Sequence, residues 1–385
     1  MDLTALLRSA VDLRATDLHL KVGRPPMARF DGQLEPLDDH VVLQESDLEN
    51  IVRAVTTNSP KRLEAFRQSG ELDTAYTVDD LPRFRVNAFL QRGAISVAFR
   101  IIPRQVPTFD GLNLPAGVER LAEEHRGLVL VTGATGSGKT TTLAAILGHI
   151  NRTRQQHIVT IEDPIEILHD DDGCIVNQRE VGLDTASFAE GLRRALRQDP
   201  DVILIGELRD GESAQTALQA AESGHLVLST MHTLDASETI GRMIEFFPGV
   251  KQPQIRSILA GVLRGVVTQR LLPRIEGGRV AAAEVMVTTT RIAELIRENK
   301  EDEIHDAISQ GAYYGMQTFR QALIDLVVNG EIDRETAANA ATNRHDFLVA
   351  FDLALKEQQA RAAEAARQRA QPQVPGLRVV RPARG

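Results

Sequence analysis

A single cysteine, Cys174, is all that the 385 residues contain, so neither an intramolecular disulfide nor a four-cysteine zinc site can form. It reads as a passive thiol. Tryptophan is absent and aromatic residues make up only 4% of the chain, while the net charge is −9. That combination argues against a dedicated nucleic-acid surface, which needs basic grooves and stacking rings. No apolar run approaches the roughly 18 residues of a membrane helix. Residues 1–20 carry acidic side chains and no signal-peptide core. The expectation is a cytoplasmic protein with no direct membrane insertion. A hydrophobic fraction of 42% is globular, and the length exceeds one ordinary core, so two domains and a tail are expected.

The most informative feature present is the octapeptide Gly133-Ala134-Thr135-Gly136-Ser137-Gly138-Lys139-Thr140, with Thr141 next, which follows the apolar run 127–131 after one residue, Thr132. Glycines let backbone N–H groups turn inward around an anion. A lysine at that spacing reaches β- and γ-phosphates, and the following hydroxyl, Thr140, can bind Mg²⁺. A helix opening at Lys139 would add the positive end of its dipole. ATP and Mg²⁺ are therefore the expected ligands.

Three regions follow from the patterning. Residues 1–102 contain short alternating stretches, 17–22 and 83–89, that suit half-buried strands. Three prolines and two glycine or asparagine turn signals make residues 103–115 a linker. From Gly127 apolar runs at 158–161, 202–205 and 226–228 alternate with helical patterns, which reads as a parallel sheet covered by helices. Beyond Pro253 the pattern looks almost wholly helical, with breaks near 299–303 and 311–315. Residues 360–385, rich in Ala, Arg, Gln and Pro, carry no core pattern and are expected to be disordered.

Ligands of parallel sheets collect at the carboxyl ends of strands, which singles out acids placed there. Glu207 closes the run 202–206, where a metal- and water-handling carboxylate would sit; Glu162 and Asp163 close the run 157–161. Each could instead cap the turn that follows. His232 ends the strand-like stretch 225–231 and could contact a γ-phosphate, whereas His225 at its other end suits a structural or relay part. Arg193, Arg194 and Arg197 read as a charged helix face.

These residues together resemble a known family. The stretch 196–210, Leu-Arg-Gln-Asp-Pro-Asp-Val-Ile-Leu-Ile-Gly-Glu-Leu-Arg-Asp, is similar to the signature of secretion-superfamily ATPases. Within that superfamily the chain resembles the PilT-type retraction ATPases from about Thr16 to Ile332. The resemblance implies an α/β protein with a RecA-like P-loop ATPase core (116–272), a smaller α+β PAS-like N-terminal domain and a helical C-terminal region (273–359). It also implies a homohexamer that retracts type IV pili by ATP hydrolysis, in twitching motility. The ring would stand at an inner-membrane pilus platform protein, with a second retraction ATPase as a further candidate partner. Site residues carried over are an Asp box at 161–166 with Glu162, a His box at 225–232 with His232, and Glu207 as catalytic carboxylate and metal-side residue with Thr140. Arginines of the N-terminal domain that reach the nucleotide match Arg83, Arg85 and Arg100. Alternation supports part of this, since Arg83 and Arg85 share a strand face opposite Phe84 and Val86.

Departures bear on direction. Pilus-extension ATPases carry a longer N-terminal region and a tetracysteine motif, and this chain has neither. Residues 291–298 are similar to the retraction motif Ala-Ile-Arg-Asn-Leu-Ile-Arg-Glu at Ile292, Leu295, Ile296, Arg297 and Glu298, but differ at Arg291, Ala293 and Glu294. Ile292, Leu295 and Ile296 also have the spacing of ordinary core positions. A type II secretion or pilus-assembly ATPase, an accessory ATP-binding subunit and a nucleic-acid motor are the alternatives.

Overall fold

Two sheets carry the chain, and each is built as its hydrophobic pattern requires. The computed structural model describes residues 2–30, 33–37, 42–102 and 106–370, with side chains through 357. The first sheet comprises β1 (Asp17–Lys21), β2 (Met27–Phe30), β3 (Gln33–Pro36), β4 (Glu71–Tyr76), β5 (Arg83–Gln91) and β6 (Ala94–Ile102), in the order β3-β2-β1-β6-β5-β4. Its pairings are antiparallel throughout. One face is apolar: Leu18 and Leu20 of β1, Phe84, Val86 and Ala88 of β5, and Val97 and Phe99 of β6 pack with Leu7, Leu48 and Ile51 from the helices Leu3–Asp12 and Glu45–Val55. Period-two alternation then turns Arg83 and Arg85 to the opposite face, as the sequence predicts.

The second sheet comprises β7 (Gly127–Thr132), β8 (His157–Glu162), β9 (Ile175–Glu180), β10 (Val202–Ile205), β11 (Leu226–Met231), β12 (Leu263–Pro273) and β13 (Arg279–Val287), ordered β13-β12-β7-β11-β10-β8-β9. The pairings from β12 through β7, β11, β10 and β8 to β9 are parallel. The inner strands β7, β8, β10 and β11 are buried on both faces, which is why they read as apolar runs rather than alternating ones. Leu128, Leu130, Ile203 and Ile205 enter one core, with Leu218, Ile240 and Leu259 from covering helices. Val129, Val131, Val202 and Leu204 enter the other, with Leu143, Ile146 and Ile150 of the helix Lys139–Thr153. Burying each such side chain contributes about 1.5–3 kcal/mol. The strand ends are therefore held firmly, and the loops leaving them start from fixed points.

Three expectations need correction. The region beyond Pro253 is not almost wholly helical: Leu263–Pro273 and Arg279–Val287 are strands, and β12 lies directly beside β7. Val266, Val267 and Thr268 are β-branched and buried, and sheet pairing on both sides outweighs the helical context around them. Residues 109–112 of the expected linker form a helical turn capped by Thr108, while 103–105 lie outside the described residues. The final helix, Arg344–Ala370, continues into the segment expected to lack structure; Ala, Glu, Arg and Gln are strong helix formers. Residues 371–385 of that segment lie outside the described residues.

The described residues of Met1–Leu271 and Ala283–Thr318 form one compact unit, those of Leu272–Ala282 and Phe319–Gly385 a second. The second has its own core of Leu272, Val280, Phe319, Leu323, Ile332 and Phe347. The expected breaks appear as short 3₁₀ turns at Glu301–Glu303 and Ala312–Tyr314.

Candidate functional site

Strand β7 ends at Thr132, and the glycine loop runs from there into the helix Lys139–Thr153. Only glycine fits at its first position: Gly133 has φ 136°, and a Cβ there would stand 2.4 Å from the Gln269 carbonyl oxygen and 2.6 Å from Ser137 Oγ. Gly138 has φ 92° and sets the helix start, which no side chain caps. The first N–H groups of the helix are thus open to an anion, with the positive end of the dipole behind them. Ala134, Thr135 and Gly136 are exposed, and Thr140 and Thr141 are half-buried in the first turn. Ser137 Oγ is buried without a partner.

Lys139 is folded over this loop. Its Nζ donates to the carbonyl oxygens of Gly133 at 2.8 Å and Ala134 at 3.0 Å. Burial pushes its pKa below the ordinary lysine value, and the charges of Glu207 and Glu166 oppose that shift. The ammonium and these two carboxylates therefore share one electrostatic environment.

Because β8, β10 and β11 are parallel, their carboxyl ends bring Glu162, Glu207 and His232 to the same edge of the sheet. Glu207 is fixed by its backbone neighbours: Gly206 N–H donates to the Ile161 carbonyl at 2.8 Å, Leu208 N–H to that of Thr230 at 3.0 Å, and Thr230 Oγ1 to that of Gly206 at 2.6 Å. Its Oε1 pairs with Arg209, and its Oε2 lies 3.3 Å from His232 Nε2. A cleft of about 520 Å³ opens beside this pair, lined by Arg209, His232, Glu238, Arg242 and Phe246 among others. Glu162 is drawn inward instead. Thr160 Oγ1 and Gln178 Nε2 donate to its Oε1 at 2.6 and 3.0 Å, and burial pushes its pKa up. Burial also raises that of Asp163, against the nearby Arg209 charge.

The arginines of the first sheet divide. Arg85 reaches Glu166 at 3.4 Å and so joins the Lys139 environment. Arg100 lies directly across from Arg85 in the β5–β6 register but pairs with Asp17 at 2.9 Å. Arg83 binds elsewhere: its Nη2 donates to Glu180 Oε2 at 2.7 Å and its Nε to the Ile165 carbonyl at 3.1 Å. Arg62 completes that arrangement on Glu180 Oε1 at 3.1 Å. Two guanidinium groups thus enclose a carboxylate whose side chain is 1% exposed, tying the first sheet to the end of β9. Removing Glu180 would strand both cations.

The remaining sequence candidates have structural surroundings. His225 Nδ1 is held between Ala220 O and Ser223 Oγ at 2.9 and 3.0 Å. Arg193 and Arg194 pair with Glu190 on an exposed helix face, and Arg197 donates to the Arg193 carbonyl. Cys174 is buried and free. The apolar positions of 291–298 are core: Ile292, Leu295 and Ile296 are buried while Arg291, Glu294, Arg297 and Glu298 face outward. Sequence reasoning missed Glu166 as the partner of Arg85, and it missed Gln178, Glu180 and Arg62 altogether. Their spacing holds no signal, because the contacts depend on the β8–β9 register and on a partner far along the chain.

His169, in the loop after Glu162, makes a pH prediction. Burial, with the Arg152 charge second, pushes its pKa from 6.5 down to about 4. Between those values the unfolded chain binds the proton and the folded one does not, so stability falls as pH drops from 6.5 toward 4. Urea unfolding should lose about 2–3 kcal/mol more between pH 7.5 and 4.5 in wild type than in His169→Gln. Equal losses in both would contradict the assignment.

Comparison with known proteins bears on what this edge does. A family model described as type II/IV secretion system protein matches residues 3–277. The type IV pilus retraction ATPase PilT of Pseudomonas aeruginosa is 44% identical over 347 residues, covering 90% of this chain and all of that protein. The type IV pilus ATPase PilU of the same organism is 39% identical, covering 92% of each. A crystal structure of the pilus retraction motor PilT with bound ADP superposes with a TM-score of 0.84 at 43% identity, covering 90% of this chain and 98% of that one.

Proposed function

Because this chain belongs to the type II/IV secretion system protein family, we propose that it is an ATP-hydrolysing motor that retracts type IV pili. The carrying observation is Lys139 folded over a glycine loop that opens a helix, with Glu162, Glu207 and His232 at the carboxyl ends of neighbouring strands in the same parallel sheet. The reaction is ATP plus water to ADP plus phosphate. In this reading the second sheet is a RecA-like P-loop core and the first belongs to a PAS-like domain.

Loop N–H groups and Lys139 bind the triphosphate, with Thr135, Ser137 and Thr141 completing the cradle. The open helix start and the partnerless Ser137 hydroxyl fit a phosphate, and the half-buried Thr140 hydroxyl fits Mg²⁺, which takes few protein ligands and keeps its waters. Bound Mg²⁺ would neutralise phosphate charge. Glu207, at the carboxyl end of β10, orients the attacking water and accepts its proton. Glu162 assists in holding that water, and His232 reports the γ-phosphate through its contact with Glu207. Arg85 and Arg100, opposed across β5 and β6 and paired here with Glu166 and Asp17, would exchange those carboxylates for phosphate oxygens, and Arg83 lies two residues from Arg85. Loss of the γ-phosphate frees these contacts, and rotation of one domain against the other is the work stroke.

A homohexameric ring at the cytoplasmic face of the inner membrane, docked on the pilus platform protein and working with a second retraction ATPase, is the proposed setting. Among the described residues no helix is long and apolar enough to cross a membrane. The test is a deletion: cells should retain pili yet lose twitching, and specific ATPase activity of the purified chain should rise with its concentration as rings assemble. Bald cells would point to an assembly motor, and a fully active monomer would remove the ring.

A further inference from the structure

Thr160 and Gln178 face each other in the parallel register of β8 and β9, and Glu162 and Glu180 form the next pair on the same face. Gln178 is thereby placed under the Glu162 carboxylate, and its amide is fully committed. One Nε2 hydrogen goes to Glu162 Oε1 at 3.0 Å and the other to the Ile167 carbonyl at 2.9 Å, while Oε1 accepts from His169 N–H at 2.8 Å. The partners fix the orientation of the amide, because a flipped group would set its oxygen against a carboxylate and a carbonyl. Thr160 Oγ1 donates to the same Glu162 oxygen. With both of these bonds on Oε1, and the Glu166 backbone N–H bonding the same carboxyl, the group cannot rotate without breaking several bonds together, so its orientation is set.

We propose that Gln178 is a positioning residue for hydrolysis: it anchors Glu162 Oε1 and the loop 163–169 with one amide, and so holds the Glu162 carboxyl at the end of β8 where that residue serves the nucleotide site. This rests on the reading that Glu162 serves that site. Gln178 touches no substrate, and its action is through Glu162 alone. Groups that orient a site residue from behind typically change activity by 10–100-fold when removed, and small displacements of a reacting group are costly. A side chain acting only as packing for β9 would not single out turnover.

The test is steady-state ATP hydrolysis and fluorescent-nucleotide binding by the full chain as Gln178→Met, Gln178→Glu, Glu162→Gln and the Glu162→Gln/Gln178→Met double variant. Gln178→Met should lower kcat about tenfold with KM and nucleotide affinity within about twofold, and it should add nothing in the Glu162→Gln background. Gln178→Glu conserves volume while replacing the donor, and it should show the same split; it decides the matter if the Met variant folds poorly. Wild-type kcat in both Gln178 variants, with Glu162→Gln slow, would overturn the positioning role and leave the Glu162 reading standing. Additive losses in the double variant would overturn it too. Wild-type turnover in Glu162→Gln would instead remove the reading on which the proposal rests.

Discussion

Glu207→Gln should bind ATP with affinity within a few-fold of wild type and hydrolyse it about 10²–10⁴ times more slowly, the range expected when a positioned base is lost. The substitution is close to isosteric. A glutamine oxygen can still accept from Arg209, its amide can face His232, and the backbone bonds of Gly206 and Leu208 do not involve the side chain. Fold and loop geometry are thereby preserved, and what disappears is the ability to take a proton from water. Single-turnover hydrolysis separates this from slow product release. Wild-type turnover in the variant would falsify the catalytic assignment.

Lys139→Met should have the opposite signature. The ammonium is buried against two carbonyl oxygens and bears a desolvation cost that only a phosphate fully offsets. Its loss should weaken ATP binding about 10²–10³-fold, in line with truncation of one partner in a buried charge pair. The empty protein should unfold within about 1 kcal/mol of wild type, since hydrophobic replacement of a desolvated charge is often neutral. Nucleotide titration together with urea unfolding checks both halves. Tight binding without Lys139 would place the triphosphate elsewhere.

The loop, the strands β7, β8, β10 and β11, and the acids at their ends were legible in sequence because each is a local pattern: a glycine spacing, an apolar run, a charge at its close. The alternation of Arg83 and Arg85 against Phe84 and Val86 was legible for the same reason. Strands β12 and β13 were not, because their apolar residues, interrupted by Arg264, Gln269 and Arg270 and by the alanines 281–283, have no clean period that separates strand from buried helix. Nor were Gln178 and Glu180. Their meaning lies in pairing with Thr160 and Glu162 across β8 and β9, and in an arginine 118 residues away. Arg83 and Arg85 share a strand face yet have different partners, which alternation alone does not reveal: Glu180 engages Arg83, whereas Arg85 faces Glu166.

The most direct test of the central claim is a structure of the full chain with a non-hydrolysable ATP analogue and Mg²⁺. The account predicts the terminal phosphate on Lys139 and the loop N–H groups, with the Glu207 carboxylate turned toward it at water-bridging distance. A nucleotide seated in the loop with Glu207 directed away from the terminal phosphate, in a closed subunit, would contradict it.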